Sequence, residues 1–152
     1  MATIGWGKPK IEICKLNASG DYPTMPDWEE VPTPVEDSTQ LNVTEGEKME
    51  AKIEGGENED VKYKSNTYQF TFNIRMAIGR VCPIDHFDGK VNDKYAVRLT
   101  PENELVPGFI ADRCTVSIMD SWASAEGGIW QFNFEVLKPK LGEQVKWKVI
   151  EE

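Results

Sequence analysis

The only histidine, His86, sits in Asp85-His86-Phe87-Asp88-Gly89, where a carboxylate beside an imidazole could make a general base. Asp and Gly around one His also make an ordinary surface turn, and that reading is the better account of so short a motif. The segment lacks the Asp-x-Asp-x-Asp-Gly register of a calcium loop. Zinc needs Cys and His at workable spacing, and one His with Cys14, Cys82 and Cys114 scattered along the chain does not supply it. Cys82, before Pro83, reads better as a small apolar core residue than as a reactive thiol. No GxSxG, P-loop or GxGxxG motif is present. Carboxylates are plentiful, but nothing in their spacing selects a pair for glycoside hydrolysis. The expectation is no catalytic residue, no metal and no cofactor.

The five tryptophans are the remaining chemistry-bearing side chains. Trp130 and Trp147 fall in phase with apolar positions and are expected in the core. Trp6, Trp28 and Trp122 lie outside clean patterns and are candidates for contact with another subunit, because aromatic rings anchor interfaces.

Strands must position these groups. From Thr67 to Ile78, Tyr68, Phe70, Phe72, Ile74, Met76 and Ile78 alternate with Gln69, Thr71, Asn73 and Arg75. Period two gathers the rings on one face of a strand; a helix would scatter them. Gly128–Leu137, Lys94–Thr100, Arg113–Met119 and Val145–Val149 repeat the pattern, with shorter runs at Ile11–Leu16, Leu41–Thr44 and Met49–Glu54. Glu45-Gly46 is read as a hairpin turn between two of them. About eight or nine strands with one wet face each predict a single all-β domain over residues 1–152, an antiparallel β-sandwich or barrel. At most one short helix is allowed, within Pro83–Val91 or Asp120–Glu126.

Two segments break the core pattern. Residues 20–40 form a Pro-rich connection, and residues 45–60 an acidic hairpin or loop. In the second, seven carboxylates against Lys48 and Lys52 account for −5 of the formal net charge of −9. That balance opposes tight nucleic-acid binding, which depends on Lys and Arg neutralising phosphates. Residues 1–9 read as an N-terminal arm. They hold no apolar run of signal-peptide length, so a cytoplasmic start is expected. No apolar run of membrane-helix length occurs either.

The layout resembles the siphophage-type major tail tube proteins, the ring-forming subunits of phage and prophage tails, related to type VI secretion tube subunits. An opening arm and a strand are followed by the Pro-rich connection. An acidic, Gly-turned strand pair, Leu41–Gly56, then leads into the long strand Tyr68–Ile78. The segments Val97-Arg98-Leu99-Thr100-Pro101-Glu102-Asn103, Gly127-Gly128-Ile129-Trp130-Gln131-Phe132-Asn133-Phe134 and Leu137-Lys138-Pro139-Lys140-Leu141-Gly142 complete it. The resemblance implies protomers closing into a ring, commonly a hexamer, and rings stacking into a tube that passes DNA without tight binding. It also implies other tail proteins as partners, assembly in the bacterial cytoplasm and a final place in the virion tail. If polar faces line the lumen, Glu50, Lys52 and Glu54, or Gln69, Thr71 and Asn73, are the lining candidates. A non-catalytic β-sandwich module that binds carbohydrate or protein is the alternative, since it uses the same strand arithmetic.

Overall fold

A computed structural model describes residues 7–17, 22–23, 28–35, 38–139 and 142–150. Ten strands and no helix occur among them. They are β1 (Lys10–Lys15), β2 (Glu29–Glu30), β3 (Gln40–Thr44), β4 (Lys48–Lys52), β5 (Asn58–Tyr63), β6 (Thr67–Arg75), β7 (Lys90–Thr100), β8 (Gly108–Ala123), β9 (Gly127–Val136) and β10 (Lys146–Lys148). Eight belong to one antiparallel sheet of order β2-β1-β7-β8-β9-β6-β3, with β10 added against β8; β4 and β5 form a sheet of their own. The large sheet does not close into a barrel. Among the described residues its two ends, β2 and β3, are open edges.

The core lies on one face of this sheet. Phe70, Phe72 and Ile74 of β6, Phe132 and Phe134 of β9, Val116 and Ile118 of β8, Val97 of β7, and Ile11 and Ile13 of β1 are buried in one cluster. Residues of distant strands meet there, so the sheet curls over itself as the two layers of a sandwich do. Phe72 stacks on Phe132 and Phe134, with centroids 5.0 and 5.6 Å apart and planes inclined by 19° in each case. Phe70 meets Phe109 edge-on at 5.2 Å. Offset and edge-to-face geometries are those that ring quadrupoles favour.

Several expectations are corrected. The allowance of at most one short helix is met with none: Pro83–Val91 and Asp120–Glu126 are not helical, and β8 runs on to Ala123, paired with Gly127, where the chain reverses. The Tyr68–Ile78 run ends as a strand at Arg75, and Ile78 is fully exposed. The ladder stops because β9 reaches its turn: the Met76 N–H donates to Gly128 O at 2.9 Å, beside the reversal at Gly127. Trp147 is not a core residue. It is 61% exposed at the rim, its ring 5.4 Å from Phe109. The expectation of one wet face per strand fails at β1, where Glu12 and Cys14, with Leu16 just past its end, are buried on the wall opposite Ile11 and Ile13.

Glu45-Gly46 is not a hairpin turn either. β3 pairs with β6, and β4 turns back on β5 through Glu54, Gly55 and Gly56. Gly55 and Gly56 hold positive φ, and the Gly56 N–H donates to Ile53 O at 3.2 Å. What Gly46 provides is clearance at the base of this hairpin. A Cβ there would fall 1.6 Å from Lys64 O, so a side chain would have to pry apart the two strands leaving the sheet. The segment expected as an acidic hairpin or loop over residues 45–60 is a hairpin, whose second strand β5 runs on to Tyr63.

Candidate functional site

Four surfaces bear on function. The first is built on the outer face of β1 and β7. Glu12 and Arg98 stand opposite each other in register. The Arg98 Nε–H and Nη2–H donate to Oε1 and Oε2 of Glu12 at 3.1 and 2.8 Å. This fork-to-carboxylate pair is nearly dry, with 13% and 8% of the two side chains exposed. The Arg98 guanidinium lies 4.5 Å from the Trp28 ring centroid, and Tyr22 leans on Trp28 at 6.1 Å. The Tyr22 hydroxyl donates to Asp112 Oδ1 at 2.7 Å, and Lys146 Nζ reaches Oδ2 of the same carboxylate at 2.5 Å. Described parts of the Pro-rich connection are therefore latched over the sheet by two aromatic rings. Trp28, expected at a subunit interface, is engaged inside its own chain. It also packs on Cys14, Leu16 and Ala96.

Burial holds the Tyr22 phenol well above its ordinary value, and the hydrogen bond to Asp112 and that carboxylate's charge push the same way. Folding thus favours the neutral phenol. Its stabilising contribution is complete below the ordinary phenol value of about 10 and is lost as pH rises above it. Tyr22→Phe should therefore flatten the alkaline decline in stability, read as denaturation midpoints at a series of pH values. Tyr95, raised by burial, keeps its own share in both proteins. Identical slopes would show that the latch does not hold Tyr22.

The second surface is the β4–β5 hairpin. It touches no other strand among the described residues, and every residue of both strands is exposed except Val61, which is half-buried. Lys48 and Lys52 bracket Glu50 at 2.8 and 3.5 Å. The lysines hold the Glu50 carboxyl below its usual range. Glu54 lies in the turn. These three lumen candidates thus share an extended arm and are not on the sheet that carries Gln69, Thr71 and Asn73.

Those last three form the third surface. They alternate with Phe70 and Phe72 and face away from the core, half-buried. The Gln69 amide donates to Asn133 Oδ1 at 2.9 Å, and the Ser38 hydroxyl bonds the Asn73 backbone.

The fourth surface lies beyond the core at the far end of β8. Trp122 is 74% exposed and stands in register with Gly128. A Cβ on Gly128 would meet Met76 Sδ at 2.6 Å, so Met76 lies over that glycine in the same region. Trp6 lies outside the described residues.

His86 Nδ1 accepts from the Gly89 N–H at 3.1 Å, closing the turn predicted for that motif. Gly89 has positive φ and presses on β8: a Cβ there would come 2.3 Å from Ile118 O. Cys114 is buried, and burial raises its thiol pKa, as it does for the half-buried Cys82. Among the described residues, no group of three or more His, Cys, Asp and Glu could hold a metal ion, and no helix is long and apolar enough to cross a membrane. The buried Glu12–Arg98 pair and the latch escaped sequence reasoning, because the partners stand 86 residues apart with no shared motif. No family model matches the chain, and no curated protein matches it in sequence.

Proposed function

We propose that this chain is an assembly subunit, a protomer whose rings stack into a DNA-passing tube of the phage or prophage tail kind. The carrying observation is the β4–β5 hairpin, a solvated arm with no further strand partner among the described residues. An isolated two-stranded hairpin is marginal in water, so a partner surface would complete it. The open edge of β3 offers the matching device. Among the described residues no strand pairs with its outer edge, and edge pairing between protomers would remove the aggregation hazard such an edge carries. Rings made that way would be hexamers in the resemblance and would present one continuous sheet to their lumen.

Electron microscopy and light scattering at rising protein concentration test this reading. Rings or tubes are expected; a monomer that persists at every concentration would move the protein to the binding-module class. Trp122→Ala refines the test. The ring is mostly outside the core, so monomer stability should stay within about 0.5 kcal/mol. Assembly should weaken by about tenfold or more if the ring anchors a subunit contact, since interface aromatics commonly contribute over 1 kcal/mol. Unchanged assembly would remove Trp122 from the interface.

A further inference from the structure

A cleft of about 450 Å³ opens on the outer face where β7, β8 and β10 adjoin, lined by Arg98, Ile110, Lys148, Val149 and Ile150. Register builds it. Glu12, Arg98, Ile110 and Lys146 form one row, and Lys148 follows Lys146 on the same face. Among the described residues no carboxylate lines the cleft. Both Glu12 oxygens accept from Arg98, and Asp112 is held by Tyr22 and Lys146. Glu30 stands opposite Glu12 on β2, on the far side of β1. Arg98 Nη1 donates to no group among the described residues and is not sealed from solvent. Lys148 is exposed, with no ion-pair partner among the same residues. The hairpin carries the opposite pattern at its tip, where Ile53–Asp60 holds four carboxylates and no cation. Glu54 and Glu57 flank Gly55-Gly56, a positive-φ turn with open space around it and no side chain at its apex. Ile53 adds an exposed apolar side chain beside them. None of these tip residues lines the cleft of its own chain.

We propose that this cleft receives the hairpin tip of a second copy, with Glu54 and Glu57 meeting Lys148 and the open end of Arg98, and Ile53 packing against Ile110 and Ile150. The inference rests on the assembly reading and names the surface that receives the arm. Charge carries the match: two carboxylates on a slender turn meet two cations in a cleft with apolar walls. Arm and cleft are different places on one protomer, so the contact is head-to-tail and passes from copy to copy. The β3 edge lies at the margin of the sheet, away from β7 and β8, so one protomer can use both. A nucleic-acid occupant fits poorly, because phosphate binding draws on many cations and the chain carries a formal net charge of −9. Glu54 would then serve a contact between copies and not line a lumen.

Light scattering of the whole chain at rising concentration tests the pairing. Lys148→Glu should raise the concentration at which copies associate by about tenfold or more, since like charges would then face each other across the contact. Glu54→Lys with Glu57→Lys should do the same, and the three changes together should restore association. All three side chains are exposed, so denaturant midpoints should stay close to wild type. A second measurement uses a Cys82→Ser background. Copies with Lys148→Cys, mixed with copies carrying Glu57→Cys and oxidised, should yield disulfide-linked pairs. Association that Lys148→Glu leaves unaltered would remove the cleft from the contact. A loss that the hairpin reversal does not rescue would give the cleft another occupant, the adjoining Glu151 and Glu152 if Glu151→Lys with Glu152→Lys rescues it. Either result overturns the inference while the assembly reading stands. A wild-type chain that stays monomeric at every concentration would sink that reading and this one with it.

Discussion

Replacing Phe72 with alanine is expected to remove about 3–5 kcal/mol of folding stability, the cost of deleting a large buried ring and leaving its cavity. Phe72 has no solvent exposure and touches three other rings: Phe70, Phe132 and Phe134. Those rings come from β6 and β9, paired in register with Phe72 opposite Phe132. They are fixed by backbone ladders and cannot collapse far into the space left behind, so the cavity term should be paid nearly in full. Domains of this size hold only about 5–15 kcal/mol in total, so the variant should sit near the unfolding threshold. Urea denaturation of wild type and variant gives the difference directly. A loss of about 1 kcal/mol or less would place the ring at a wet or yielding surface. That result would remove the reason for the sheet to curl.

The same row of rings shows what could be read from the chain. Tyr68, Phe70, Phe72 and Ile74 announce both the strand and its buried side, because period two is a property of the residues themselves. The end of that strand was hidden. Met76 and Ile78 continue the alternation, yet pairing stops where the neighbouring strand turns at Gly127, a fact about β9 and not about β6. β5 was hidden for a different reason. Glu59 and Asp60 sit on a hairpin with water on both sides, so no buried face imposes a pattern, and only the Gly55-Gly56 turn betrays it. Trp147 keeps perfect phase with Val145 and still lies exposed, because β10 covers only Gly108–Ile110 at the margin of the sheet. Gln69, Thr71 and Asn73 were legible as one wet face. Their continuation through Gln131, Asn133 and Ser117 required the register.

Nothing in the chain order brings Glu12 to Arg98, and the second large effect is expected there. Arg98→Ala would leave the Glu12 carboxylate almost wholly buried with its bidentate partner gone; Lys10, 3.8 Å from Oε1, is the nearest replacement charge. Stranding one member of a buried pair typically costs about 3–5 kcal/mol. Removing both charges is a different operation. Glu12→Leu with Arg98→Met keeps the volume under Trp28 and eliminates the desolvation cost, so the double variant should match wild type or exceed it by about 1–4 kcal/mol. Denaturant midpoints of the two single variants and the double variant decide the matter. Single losses that simply add in the double variant would show two independent solvated side chains and no dry pair. The expected non-additivity would also say why the pair is kept despite its cost. Slipping β1 by one residue against β7 would turn Glu12 toward the Phe70–Phe72 core and take it away from Arg98, so the pair penalises the wrong register more than it rewards the right one. It thereby fixes where the Pro-rich connection leaves β1, and hence where Tyr22 and Trp28 come down on the outer face.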